Sequence, residues 1–353
     1  MPLKKQNQDM QRFLIPNLCL SLFLLASCEQ AEVSTNTPED GSVFQVASVD
    51  LNGGTHTRTI ITGIESDPGS GLNANGKISR LGMYAIYANG SEYKPSYGRN
   101  TATYVNTSGK WKPDASLAGD ETLRLPTGAV YVYAWHPYSL QPSYNNGSFY
   151  IGGVELCTED DFKATAQTDY LYAAGCNAGG NKVTVTSQNN PGLRFTLKHA
   201  LTKLTFSMKK DASIESTETL TLTQLVLKSY GNNFLTGSGV NRRMSLADGT
   251  LSGLVATEKL TYEGSLALTF GYQDITALVA PITGMQRFSF ELTVTTGGGE
   301  IRKYQTQALN VSTTWEAGKN YVYKLKVDKM SAVLEGPAKV YDWTDEKNDI
   351  PIQ

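Results

Sequence analysis

The three histidines, His56, His136 and His199, and the four cysteines are the side chains here best suited to metal binding, base catalysis or nucleophilic attack. Their spacing supports none of these roles. No two histidines stand in a His-Glu-x-x-His arrangement, which would put both imidazoles on one helix face for zinc. No Gly-x-Ser-x-Gly elbow exposes a serine. Gly237-Ser238-Gly239 lacks the lysine and helix of a phosphate cradle and reads as a turn. His136, between Trp135 and Pro137, reads as structural at a strand end. His199 falls where a strand pattern changes phase and reads as a packing or hydrogen-bonding residue. Asp160-Asp161 and Asp345-Glu346 read as solvated surface. Glycoside hydrolysis needs two carboxylates at a set separation across a fold, which spacing along a chain does not reveal. The expectation is therefore a protein that is not an enzyme and uses no cofactor and no metal. With 31 basic and 33 acidic residues, nothing suggests the basic stripe of a nucleic-acid partner.

The cysteine that carries chemistry is Cys28. Lys4, Lys5 and Arg12 precede an apolar run broken by Pro16 and Asn17, which ends Leu25-Ala26-Ser27-Cys28. A basic start, a short apolar core and small residues before a cut make a secretory signal over residues 1–27. The core is shorter than the roughly 20 residues of a lasting span. Either Met1 or Met10 serves as the start, since Met10–Cys28 alone is a complete signal. Leu-Ala-Ser-Cys resembles the bacterial lipobox, whose cysteine is acylated and becomes the first mature residue. Each buried methylene contributes about 0.8 kcal/mol, so several acyl chains would hold Cys28 stably in outer-membrane lipid. Cys19 lies in the removed segment. Cys157 and Cys176 remain in the mature body, as either a disulfide or two isolated thiols.

The elements that would position these residues read as strands. Residues 28–42, rich in Glu, Thr, Ser, Asn and Pro, form a tether. In Ile78–Asn89, Leu81, Met83, Ala85 and Tyr87 share a face. Ala129–Trp135 is apolar on both faces, which predicts a central strand ended by Pro137. Leu193–Met208 alternates, but its phase flips inside Ala200–Lys203, which requires a bulge, a turn or a crossing between sheets. Phe288–Thr296, Gly297-Gly298-Gly299-Glu300 and Ile301–Leu309 form a hairpin pattern. Tyr321–Val327 alternates again. Thr158–Ala166 is a weak helix candidate. Tyr93, Tyr97, Tyr104, Tyr138 and Tyr144 lie among Ser, Gly, Asn and Pro, and serve either as exposed contact residues or as packing against sandwich edges. The polar stretch Ser187–Pro191 predicts a boundary between an N-terminal domain, 43–188, and a C-terminal domain, 189–353. The expected fold is all-β, with two tandem antiparallel β-sandwich domains of transthyretin-like or Greek-key type.

Three segments carry a resemblance. Phe195-Thr196-Leu197-Lys198-His199-Ala200-Leu201-Thr202-Lys203-Leu204-Thr205-Phe206 resembles the F-x-H-x-L-[ST]-K-L-x-F signature of fimbrillin-like proteins. Trp315–Leu325 resembles their W-x-x-G-x-x-Y-x-Y-x-L strand, and Thr168–Ala173 is similar to a third family segment. The resemblance implies a type V pilus subunit or tip adhesin: a lipoprotein carried to the outer membrane and then to the cell surface as part of a fimbrium. A trypsin-like or Arg-specific protease would cut after an arginine near the N-terminus. The loss of an N-terminal strand would open a groove for a strand from another pilin subunit. His56-Thr57-Arg58-Thr59 matches that position, which makes Arg58 and Thr59 the expected processing site. Val43–Leu51 precedes it as the removable strand, with Val43, Ala47, Val49 and Leu51 on one face. Lys339–Trp343 is either the donor segment or the last strand of its own domain. Host or microbial surface ligands are further expected partners. The alternative function is a surface glycan-binding lipoprotein, which would show a cluster of coplanar exposed aromatics.

Overall fold

The computed structural model describes residues 40–51, 78–95, 99–117, 122–158, 160, 168–230, 234–283, 286–311 and 314–343. Within them the regular elements are all strands. In chain order these begin with β1 Asp40–Val43, β2 Val46–Leu51, β3 Arg80–Tyr87, β4 Thr101–Thr107, β5 Lys110–Pro113 and β6 Arg124–Pro126. They continue with β7 Val130–His136, β8 Pro142–Asn145, β9 Ser148–Gly152, β10 Leu171–Ala174 and β11 Leu193–His199. Next come β12 Thr202–Lys210, β13 Leu220–Ser229, β14 Phe234–Thr236, β15 Arg243–Ser245, β16 Leu251–Ser252, β17 Val255–Thr257 and β18 Lys259–Leu268. The last are β19 Gln273–Val279, β20 Gln286–Thr296, β21 Ile301–Gln305, β22 Leu309–Val311, β23 Lys319–Val327, β24 Ala332–Leu334 and β25 Lys339–Asp342. The all-β class expected from the sequence is the class observed.

The first large sheet has the order β2-β11-β10-β7-β3-β4-β5. The doubly apolar β7 is its middle strand, as its pattern requires, with Val132 and Ala134 turned to one cluster and Tyr133 and Trp135 to another. The sheet curls so that its outer strands, β2 and β5, approach each other. The ribbon β1–β6 adds Leu125 to the same cluster. The second half is a sandwich. One layer runs β19-β12-β23, with β24 and β25 both paired to β23. The facing layer runs β18-β13-β20-β21, with β22 also on β20. Period-2 alternation sends Phe288, Phe290, Leu292 and Val294 from one layer, and Tyr321, Tyr323, Leu325 and Val327 from the other, into a shared core. Trp315 anchors it: its Nε1 donates to Tyr323 Oη at 2.9 Å, and its ring stacks on Phe234 at 5.4 Å.

The phase flip at 200–203 is a crossing. β11 ends in the first sheet at His199, and β12 begins in the second sandwich at Thr202. The boundary expected at 188/189 therefore falls one strand early, because β11 pairs with β10 and β2. Polar composition marked the loop before β11, not the change of sheet. The halves also share the sheet β16-β15-β9-β8, in which β9 pairs with β15. Two pairings depart from the antiparallel expectation: β2–β11 and β12–β23 are parallel. The helix candidate Thr158–Ala166 lies almost wholly outside the described residues.

A third apolar cluster fills the waist between the two main cores. Tyr84, Ile86, Tyr133 and Trp135 from the back of the first sheet meet Ile151, Met244, Leu246, Leu278 and Trp343. Gly82 faces Trp135 across β3–β7, and the indole lies where a Cβ on Gly82 would be. Gly82→Ala should therefore overpack the waist and cost about 1–3 kcal/mol, read as a lower urea midpoint at unchanged slope.

Candidate assembly site

The N-terminal strand fills a groove built from its own chain. β2 pairs in parallel with β11, matching Phe195 to Val49 and Leu197 to Leu51. The register slips between Leu193 and Arg194, which oppose Val46 and Ser48, so Ala47 is bulged. The bulge changes the phase expected from strict alternation. Val46, Val49 and Leu51 pack on the first core, whereas Ala47 and Val43 are exposed. Gly192 adopts φ +78° just ahead of β11 and passes close to Ala47, where a side chain would be strained.

Phe44 is the anchor. It lies between β1 and β2 and is 1% exposed. Its ring meets the edges of Tyr104 at 5.9 Å and Phe195 at 6.2 Å. Its backbone is held on both sides: Tyr104 Oη donates to the Phe44 carbonyl at 2.8 Å, and the Phe44 amide donates to Leu123 O at 2.9 Å. Burial pushes the Tyr104 phenol well above its usual pKa, so it remains a donor at any physiological pH. Asn190 clamps the flanking residues, donating to Val43 O at 2.7 Å and accepting from the Gln45 amide at 3.3 Å. The Leu193 amide donates to Gln45 O at 3.1 Å. Neither Phe44 nor Asn190 is marked by local sequence pattern, since Phe44 falls off the parity of Val43 and Val49.

A buried polar group occupies the junction where β11 leaves the first sheet. Asp169 is fully buried, and its Oδ2 lies 2.8 Å from His199 Nδ1. Trp343 stacks on the His199 ring at 3.9 Å and 12°. His136 and His199 both oppose Leu171, one from each side of β10. Burial lowers the His136 pKa to about 4, against the opposing pull of the Asp169 charge. Asp169 and Trp343 completed this group from distant segments that no spacing rule connects.

Cys28, Arg58 and Thr59 lie outside the described residues, as do His56 and Tyr97. Cys157 and Cys176 are not bonded to each other in this structure. Cys157 belongs to the second core, while Cys176 sits in the first sheet's surroundings, backbone-paired with Arg194. Lys339–Asp342 is β25, paired antiparallel with β23 as the last strand of its own sandwich. Of the loop tyrosines, Tyr93 and Tyr104 are core residues, and Tyr144 is half-buried with its hydroxyl on Gly90 O. Trp135, Trp315 and Trp343 are buried, and Trp111 is half-buried. The exposed rings of Tyr230, Phe270 and Tyr272 carry cations over their faces, from Arg287, Lys210 and Lys209 respectively.

The profile of the fimbrillin-like family matches residues 66–343, and the chain belongs to that family. No curated protein matches the sequence. A solved candidate cell adhesion protein from Bacteroides ovatus is 16% identical, with a TM-score of 0.51, over 86% of this chain and 99% of that one. A fimbrial protein from Bacteroides vulgatus is 13% identical, with a TM-score of 0.46, over 86% of this chain and 99% of the other. A second candidate adhesion protein, from Bacteroides uniformis, is 18% identical, with a TM-score of 0.43, over 75% and 91%. The first of these likenesses supports the fold. Family membership places the chain among fimbrial and adhesive proteins of the cell surface.

Replacing Phe44 with Ala should cost about 3 kcal/mol and speed proteolysis within β2. Val43→Ala, at a position 40% exposed, should change stability by less than about 0.5 kcal/mol. Urea titration and timed protease digestion of the two variants check both.

Proposed function

We propose that this chain is a subunit or tip adhesin of a type V-like pilus and that it assembles by strand exchange at the β11 edge. The observation that carries this is the seating of β2. It occupies the outer edge of a sheet, supplies ladder bonds to one neighbour and places Phe44 in an apolar slot. An edge with both unpaired amides and a side-chain slot strongly attracts an extended segment.

In this reading the chain is exported, acylated on Cys28 and held in the outer membrane until it reaches the surface. A trypsin-like or Arg-specific protease cuts between Arg58 and Thr59, in the stretch between β2 and β3. Strands β1 and β2 then lose their covalent tie to the body. Their departure bares Phe195, Leu197 and Tyr104 and leaves the edge of β11 unpaired. An extended segment of a second pilin subunit enters in place of β2. The C-terminal stretch can serve as donor only by giving up the β23 pairing, so donation requires β25 to open first. Host or microbial surface ligands would be bound by the assembled fibre.

Limited trypsin treatment of the full-length protein should produce a new N-terminus at Thr59, followed by ladders on a gel run without boiling. Arg58→Ala should abolish both. A protein that is cut cleanly at Arg58 and stays monomeric would remove the strand-exchange reading and leave an adhesive surface protein.

A further inference from the structure

The junction between the two sandwiches contains charge that assembly at the β11 edge does not use. Asp169, His136, His199 and Trp343 are all buried, and they come from four separate segments. Asp169 Oδ1, His136 Nδ1, His199 Nε2 and Trp343 Nε1 have no hydrogen-bond partner among the described residues. Buried groups in that condition are sensitive to any added charge, because neither water nor protein dipoles compensate it. Trp343 directly follows β25 and is fixed by its amide on Gly318 O at 2.8 Å and by its stack on His199. One aromatic ring thus ties the end of the second sandwich to the last residue of the first sheet.

We infer that this group is an acid-sensitive latch: protonation of His136 beside the Asp169–His199 pair loosens the seat of Trp343 and frees β25 from the junction. The charged groups around it offer no way to absorb the new cation. On β3, Arg80 accepts a hydrogen bond from His136 through its backbone, while its guanidinium is engaged with Asp114 at 2.7 Å. On β12, Lys203 places its ammonium 5.9 Å from the Trp343 ring. On β23 and β25, Lys319 and Asp342 are paired with each other. Glu316 presents its carbonyl to Thr202 Oγ1. Among the described residues, Asp169 is the anion that faces His136, and one of its oxygens is already committed to His199.

The sign follows from linkage. The unfolded chain takes up the His136 proton near pH 6.5 and the folded chain near pH 4. Between these values the unfolded state binds more protons, so stability is fully present above about pH 6.5 and falls as pH drops toward 4. The gap of about 2.5 pH units corresponds to a roughly 300-fold rise in the unfolding constant, about 3 kcal/mol.

The test uses the full-length protein and its His136→Gln variant at pH 7 and pH 4. Hydrogen exchange is followed in peptides covering β25 and β13, corrected for intrinsic exchange. The wild type should lose protection in β25 before β13, and urea titration should show a weakening of roughly 100-fold between pH 7 and pH 4, where the folded-state imidazole is half protonated. His136→Gln should remove most of that pH dependence. An unchanged pH dependence in the variant, or simultaneous loss of protection in the two strands, overturns the latch. Should the variant fail to fold, the His136 imidazole resonance of the wild type decides. Titration near pH 4 supports the latch, and titration near 6.5 overturns it.

Discussion

An edge strand with an apolar flank is stable only while another strand covers it. Here the edge belongs to β11, and its cover is β2, the second strand of the described chain. Every feature of the N-terminal end serves that seating. Phe44 provides the burial, Tyr104 and Leu123 hold its backbone, and Asn190 takes the place of ladder bonds where β1 and β2 part. Phe44 joins the first core, but the strand that follows it lies at the margin. Val46, Val49 and Leu51 pack only at the margin of the first cluster, whereas the strands from β3 to β7 fill its centre. The proposed strand exchange would replace such a strand without dismantling the sheet beneath it.

The arrangement of the rest of the molecule would keep the proposed exchange local. The second sandwich has its own aromatic core around Trp315 and Tyr323, closed by β24 and β25 on β23. The waist cluster joins it to the back of the first sheet, on the opposite face of β7 from the one β2 helps to cover. Opening the β11 edge therefore removes contacts from one core and leaves the waist contacts of Tyr133, Trp135 and Met244 in place.

Much of this was legible in residue order. The double alternation of Ala129–Trp135 identified a central strand, and the phase flip after His199 marked the passage between sheets. The run from Phe288 to Leu309 declared its hairpin through three consecutive glycines. These signals are local, because side-chain direction repeats every two residues. Pairing partners are not local. Nothing within Thr202–Lys210 specifies that it lies parallel to Lys319–Val327, and nothing near Asp169 announces His199. The bulge at Ala47 defeated strict parity in the same way, since it arises in the pairing with β11, far along the chain. The proposed processing at Arg58 and acylation at Cys28 were read from sequence alone and rest on it.

The pairing of β2 with β11 also orders events in time. Asn190 and Val43, which the clamp joins, are 147 positions apart. A chain that emerges N-terminus first exposes β2 long before its mate exists, and contacts of such wide separation form slowly. During synthesis the first strand must wait until the chain through β11 has arrived. The segment that closes the first sheet is therefore among the earliest to emerge and among the last to dock. A newly made chain passes through an interval in which the edge of β11 has no strand on it.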